Sequence, residues 1–142
     1  IIPDDAIRGA YITQRNSDHY GSLSPFMRAA LLGGYTKEGK EWIEALMEFS
    51  GENEKIVRDF FAENFPKVHF CRHRAGTLLW ADFREMGTEE EVYAWFQKAG
   101  VEPDLGSKYG EEGRGFLRLQ IGMPKRELNY ALERIKKAYV KE

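Results

Sequence analysis

The sequence predicts an α+β fold: a two-layer sandwich with helices packed on one face of a small sheet of three to four strands. Two observations predict it. Apolar residues at helical spacing fill the first half of the 142-residue chain, and short runs with the two-residue period of strands follow. The segments come in the order helices, two strands, helix, short strand, strand, helix, which is typical of the α+β class. The sheet is expected to be mixed or antiparallel.

Start and stop signals predict three helices in the first half of the chain. Asp4 can cap the first, Ser24-Pro25 supplies a cap and a proline for the second, and Thr36 begins the longest, which ends before Pro66. The polar segment Gln14–Gly21 is predicted to be a loop. The longest helix has an apolar side whose members recur at steps of three, four or seven: Trp42, Leu46, Phe49, Ile56 and Phe60.

Two strands and a fourth helix are predicted next. Val68–Arg72 and Thr77–Phe83 are apolar runs separated by a glycine-containing turn. Thr88-Glu89-Glu90-Glu91 is a capping box that begins a helix, and Gly100 ends that helix.

The last third of the chain predicts a short strand, a glycine-rich loop, a strand and a helix. Val101–Leu105 is extended, Gly106–Gly113 is the loop, Phe116–Ile121 is the strand, and Pro124 begins the final helix. Alternation places Phe116, Arg118 and Gln120 on one face of the strand and Leu117, Leu119 and Ile121 on the core face. Arg118 is then a guanidinium on a rigid strand, which is suited to clamping a carboxylate. The alternative is an arginine on a wet sheet face.

Composition excludes several classes of function. A net charge of -2 gives no electrostatic attraction to nucleic acid or to an anionic membrane surface. No apolar run approaches the ~20 residues of a membrane span, and no signal peptide is visible. Cys71 is the single cysteine, which excludes an internal disulfide and favours a cytoplasmic protein. We expect the partner to be a small-molecule substrate.

A second candidate site is the His-x-Cys-x-His pattern of His69, Cys71 and His73, which alternation places on one strand face. Three interpretations are open: coincidence, a Cys–His nucleophile pair that cleaves esters, or a metal site. Neighbours at i and i+2 have parallel side chains, which is poor geometry for a thiol–imidazole hydrogen bond. His19, in the polar loop, is therefore a further candidate base. We predict catalytic roles for these four residues and no metal.

Four segments of the chain recur, in this order, in one enzyme family: Ser22-Leu23-Ser24-Pro25-Phe26, Gly39-Lys40-Glu41-Trp42, Leu78-Leu79-Trp80-Ala81-Asp82-Phe83 and Gly110-Glu111-Glu112-Gly113-Arg114-Gly115-Phe116-Leu117-Arg118-Leu119. Nearly all of the chain resembles the C-terminal small domain of fold-type-I pyridoxal-phosphate enzymes, in the branch of class I/II aminotransferases that includes cystathionine β-lyase-like C–S lyases. The resemblance implies that Arg118 binds the α-carboxylate of the substrate. Gln120 departs from the family's asparagine, and Thr77 stands where the family commonly has tyrosine.

The resemblance also implies that the cofactor-binding machinery lies in another domain. In the family, pyridoxal phosphate is held by a lysine, an aspartate and a phosphate loop of the large domain. We therefore expect no cofactor in this chain and no pyridoxal-phosphate chemistry by this chain alone. Residues 1–142 are predicted to form one domain, with residues 1–21 a remnant of the segment between domains.

Several functions remain open. An isolated enzyme domain is the first hypothesis. The second is an engineered scaffold that carries a Cys71–His ester hydrolase, and the third is a protein-binding module. Because few residues are left to cover the second face of the sheet, self-association through that face is also expected.

Overall fold

The computed structural model describes residues 1–20 and 23–139, and these residues divide into two compact units, residues 1–43 and residues 44 onward. The prediction of one domain with a remnant at residues 1–21 stays a prediction. Gly21 of the predicted loop and Ser22 of the first family motif lie outside the described residues. The described helices are α1 Asp5–Ser17, α2 Pro25–Gly34, α3 Lys37–Asn64, α4 Glu89–Ala99 and α5 Lys125–Ala138, and the strands are β1 His69–Phe70, β2 Leu78–Asp82, β3 Asp104–Leu105 and β4 Phe116–Gln120.

The first unit holds α1, α2 and the start of α3. The predicted caps are confirmed, since Asp4 accepts from the Ile7 amide at 2.9 Å and Ser24 accepts from the Met27 amide at 3.2 Å. The prediction that Gln14–Gly21 is a loop is wrong for its first four residues, which continue α1 to Ser17. Amide-to-carboxylate hydrogen bonds from Gln14 to Asp18 span this last turn at 3.0 and 2.9 Å. Neither α1 nor α2 contains a buried residue.

Helix α3 is one continuous helix, as predicted, and two residues of its predicted apolar side, Ile56 and Phe60, are partly buried against the core. The prediction is wrong at Trp42 and misses the residues that are fully buried. The residues it buries are Ser50, Asn53, Val57 and Phe61, whereas Trp42 is 66% exposed. Two of the four are polar and invisible to an apolar periodicity. They are buried because Ser50 donates to the Gly76 carbonyl at 2.8 Å and Asn53 donates to the carbonyls of Ile121 and Met123 at 2.7 and 2.8 Å.

The sheet has the order β1-β2-β4-β3, and all of its pairs are antiparallel. β2 and β4 form its centre, with Trp80 opposite Arg118 and Ala81 opposite Leu117. Of the predicted strand Val68–Arg72, only His69 and Phe70 form β1, and the last backbone hydrogen bond to β2 is the one that the Cys71 amide donates to the Trp80 carbonyl at 2.9 Å. The strand alternation therefore does not extend to His73.

The core of the second unit lies between the sheet and its helices, which confirms the two-layer α+β prediction. The side chains of Leu79, Ala81 and Leu117 are buried on the helix side. Leu128, Leu132 and Ile135 of α5 are buried as well. The predicted capping box of α4 is present, and Gly100 ends that helix in the left-handed conformation at φ 67°. Among the described residues, no helix combines the length and the apolar character of a membrane span.

Candidate functional site

Arg118 lies on the open face of β4, the face away from the helices, and its guanidinium is already paired. The register places Trp80 of β2 on one side of it and Asp104 of β3 on the other. Nε and Nη2 of Arg118 both donate to Oδ2 of Asp104, at 3.0 and 2.6 Å. The Tyr109 ring lies 5.0 Å from the guanidinium carbon, and the Arg118 side chain is 34% exposed. The strand, the ring and the carboxylate together orient the guanidinium.

The charges of this group reinforce one another. The hydrogen bonds from Arg118 hold the pKa of the Asp104 carboxyl below its ordinary value, and the same bonds raise the pKa of Arg118. Lys108 adds a second cation, with its Nζ 3.6 Å from Oδ1 of Asp104. The pair is therefore fully ionised at neutral pH, and each carboxylate oxygen of Asp104 faces a different cation.

A row of aromatic rings supports the guanidinium along the open face. Trp80 meets the Tyr109 ring edge-on at 5.6 Å and stacks on Phe116 at 5.7 Å. Arg84 covers the other side of Phe116, with its guanidinium carbon 4.7 Å from the ring centre. Trp80 thus contacts the ring that lies over the guanidinium, and Tyr109 itself remains 53% exposed.

Sequence reasoning missed the buried carboxylate that holds the loop before β4. Glu89 lies in the first turn of α4, and its Oε1 accepts from the Ser107 hydroxyl at 2.5 Å. Its Oε2 accepts from the amides of Gly115 and Ser107 at 3.1 and 3.3 Å. Burial raises the pKa of Glu89, but the hydrogen bonds from Ser107 and Gly115 outweigh burial, so that the net shift is downward. The acidic first turn of α4 is visible in the sequence, but the sequence does not indicate which groups Glu89 would bind.

The structure does not assemble the predicted Cys–His site. Cys71 is an exposed free cysteine just beyond β1, and His69 Nε2 lies 3.5 Å from Oε1 of Glu85. The His73 ring turns to α3, where Nδ1 lies 2.6 Å from Oε2 of Glu54. Within the part of the chain that the structure describes, no hydrogen bond joins the Cys71 thiol to an imidazole. His19 lies in the first unit, just after α1, in a left-handed conformation at φ 56°. The hydrolase therefore stays a prediction without a geometric basis.

The contacts of His73 belong instead to a network that ties the segment after β1 to α3. Arg58 donates to Oε1 of Glu54 at 2.7 Å and to the Cys71 carbonyl at 2.9 Å. Burial raises the pKa of Glu54, and the bonds to His73 and Arg58 offset this to give a net lowering. The role of this network is to hold the backbone that leads into β2.

In the part of the chain that the structure describes, the side chains offer neither a metal centre nor a site for pyridoxal phosphate. No group of three or more His, Cys, Asp or Glu side chains that could hold a metal ion occurs among residues 1–20 and 23–139. Each described lysine is exposed, and a lysine that forms a Schiff base is typically activated by desolvation or by a neighbouring cation. The described residues of this chain do not, on their own, fit pyridoxal phosphate.

Comparison with known proteins identifies the relatives of this chain. No family model matches it. It is 32% identical to cystathionine beta-lyase PatB of Bacillus subtilis over 97% of the chain and 36% of the relative. It is 30% identical to protein MalY of Escherichia coli over 90% of the chain and 33% of the relative. The crystal structure of cystalysin from Treponema denticola, which contains a pyridoxal 5′-phosphate cofactor, superposes with a TM-score of 0.80 at 27% identity, over 97% of this chain and 35% of that one.

The chain thus spans about a third of the length of the relatives it matches. That share fits a C-terminal small domain, the part of the enzyme that the ordered motifs resemble. The chain belongs to the family of pyridoxal-phosphate-dependent aminotransferases and C–S lyases.

Proposed function

We propose that this chain provides the carboxylate-binding part of an aminotransferase or C–S lyase, in which Arg118 binds the α-carboxylate of an amino-acid substrate. The observation that supports the proposal is the state of Arg118 itself. Its guanidinium is held on the open face of a central strand, beneath an aromatic ring, and it grips a carboxylate oxygen with two donors. A substrate carboxylate can use the same two donors, one for each oxygen.

The position on β4 gives the clamp its rigidity. Arg118 is flanked by the paired residues Trp80 and Asp104 on both neighbouring strands, so that its Cα cannot shift without breaking two strand pairs. Tyr109 limits rotation of the guanidinium plane. The two donors set both the position and the plane of a carboxylate bound there, and this orients the rest of an amino acid relative to the sheet.

Pyridoxal phosphate supplies the electron sink for amino-acid chemistry in enzymes of this family. We propose that the cofactor is not held by this chain alone, because the described lysines are all exposed. The contribution of the chain is then to bind and orient the substrate's carboxylate. Residues outside the chain carry out the chemical steps at the C–S bond or the amino group.

The carboxylate proposal is tested by titrating the 15N-labelled 142-residue chain with sodium propionate at constant ionic strength and following the backbone amide signals of β4. Propionamide is the uncharged control ligand. We expect propionate, and not propionamide, to shift these signals in a saturable manner. Arg118→Lys keeps the charge but removes the planar fork, and it should abolish saturable binding.

The matched control variant is Arg114→Lys, since Arg114 is also ion-paired but lies on the surface with Glu111 and Glu90. It should bind propionate as the starting protein does. Equal affinities of the starting protein and a folded Arg118→Lys variant would reject the proposal. Addition of pyridoxal phosphate followed by borohydride reduction tests the cofactor statement, and stoichiometric labelling of a single lysine would contradict it.

A further inference from the structure

The inference rests on the proposed function and concerns the group that occupies the Arg118 guanidinium when no ligand is bound. We propose that Asp104 is a built-in competitor of the substrate carboxylate, and that Lys108 receives the Asp104 side chain when a ligand displaces it from Arg118. Binding is then an exchange of one carboxylate for another. Asp104 and Lys108 would set both the affinity of the site and its preference for anions.

The first observation is the unequal use of the two Asp104 oxygens. Oδ2 accepts both hydrogen bonds from Arg118, whereas Oδ1 faces Lys108 Nζ at 3.6 Å, too long for a good hydrogen bond. The two donors of the Arg118 guanidinium therefore share one oxygen of Asp104, although they could bind one oxygen each. A ligand carboxylate that engages the fork with both oxygens makes the better pair.

The second observation is that the exchange requires only side-chain motion. The backbone of Asp104 is fixed opposite Arg118 by the pairing of β3 with β4. Lys108 lies four residues later, in the 3-10 turn Gly106–Tyr109, and its side chain is 56% exposed. Rotation of the Asp104 side chain toward this exposed ammonium would turn a 3.6 Å separation into a direct ion pair. Asp104 is half-exposed, so nothing buried has to move.

The exchange accounts for selectivity. An incoming carboxylate replaces a carboxylate, so Arg118 keeps an anionic partner throughout and the displaced Asp104 keeps a cation. An amide or an alcohol of the same size cannot displace Asp104, because it would leave the guanidinium without a charged partner. The site should therefore discriminate against neutral ligands more strongly than an unoccupied arginine would.

The cost of the competitor is a weaker apparent affinity. If the ion pair has the strength typical of half-exposed pairs, the free clamp is a minor state, and removal of the competitor should tighten carboxylate binding about three- to sixfold. Asp104→Asn is the direct variant, since it keeps the shape of the side chain and removes its charge. Glu112→Gln is the matched control, an equal change of charge at an exposed residue of the same loop.

Propionate titrations of the four proteins would measure the exchange: the starting chain, Asp104→Asn, Glu112→Gln and Arg118→Lys. We expect Asp104→Asn to lower the propionate Kd by this factor, Glu112→Gln to leave it within about twofold of the starting value, and Arg118→Lys to abolish binding. An Asp104→Asn variant with an unchanged or higher Kd, alongside an Arg118→Lys variant that does not bind, would overturn the competitor role and leave the carboxylate proposal standing. Full binding by Arg118→Lys would reject both.

The role of Lys108 is tested by a double-mutant cycle. Lys108→Met should raise the propionate Kd when Asp104 is present and have a smaller effect in the Asp104→Asn background, because no displaced carboxylate then needs a partner. Equal effects in the two backgrounds would show that Lys108 acts on the ligand directly, and the exchange would be wrong.

Discussion

Replacement of Glu89 by glutamine should destabilise the protein although the two side chains have nearly the same size and shape. Glu89 is 6% exposed and joins α4 to the loop before β4 through Ser107 and Gly115. In Glu89→Gln the amide oxygen can still accept from the two backbone amides, and the amide nitrogen faces the Ser107 hydroxyl. The loss is then the charge-assisted part of these bonds and the favourable contact with the first turn of α4, together about 1–2 kcal/mol. Glu89→Ala also leaves buried amides unpaired and should cost about 3–5 kcal/mol.

The effect of Glu89→Gln also has a predicted pH dependence. The pKa of Glu89 in the folded protein is below its ordinary value of 4.5, so the ionised form binds its donors more strongly than the protonated form does. The stability from this carboxylate is therefore fully present above the unfolded pKa and is lost as pH falls through the folded pKa. The difference in unfolding free energy between the starting protein and Glu89→Gln should be constant at neutral pH and shrink below about pH 4.

Urea unfolding followed by tryptophan fluorescence measures this difference, because Trp95 is buried in the core. Glu90→Gln is the matched control. Its carboxylate is exposed and pairs with Arg114 at the surface, so its unfolding free energy should stay within about 0.5 kcal/mol of the starting value. Equal stability of Glu89→Gln and Glu90→Gln at neutral pH would refute the reasoning, as would a Glu89→Gln difference that grows on acidification.

Four further substitutions test the packing of the second unit, each by urea unfolding. Asn53→Asp places a carboxylate against the two carbonyls that Asn53 now binds, and it should lower stability by about 2–4 kcal/mol at neutral pH and by less in acid. An equal or higher stability would show that the amide donors are unimportant. Gly113→Ala brings a methyl group to 2.2 Å from the Gly106 carbonyl oxygen and should lower stability by about 2 kcal/mol or more. Gly51→Ala is the control on α3: open space surrounds the new methyl group, and stability should rise by up to about 1 kcal/mol. Ala131→Met should fill part of the apolar cavity of about 110 Å³ that Ala131 helps to line and raise stability by about 1 kcal/mol; a loss would mean that the cavity cannot accept the longer side chain.

The helix starts were predictable because the groups that fix them are neighbours along the chain. Asp4, Ser24 and Thr88 each accept a hydrogen bond from an amide three residues later, and that spacing is readable in the sequence. Period-two alternation likewise placed Leu117 in the core and Arg118 on the opposite face. These features depend on distances of a few residues, over which backbone geometry leaves few alternatives.

The buried side of α3 and the end of β1 were not predictable in the same way. Apolar periodicity favoured Trp42, which is exposed, and missed Ser50 and Asn53, which are buried because carbonyls from distant segments accept their hydrogen bonds. The strand alternation that joined His69 to His73 stops where pairing with β2 stops. Polar burial and strand length both depend on partners that the local sequence does not contain.

The sequence by itself determined the α+β class, the helix starts, the outward face of Arg118 and the ordered motifs that mark the family. Only the tertiary structure decided that Arg118 is held by Asp104, that Tyr109 covers it, and that Glu89 secures the loop between them. The physical reason is the separation along the chain between the residues that interact. Propensity, capping and periodicity act between residues within about one or two turns of each other, whereas a salt bridge between two strands exists only after the sheet has set their register.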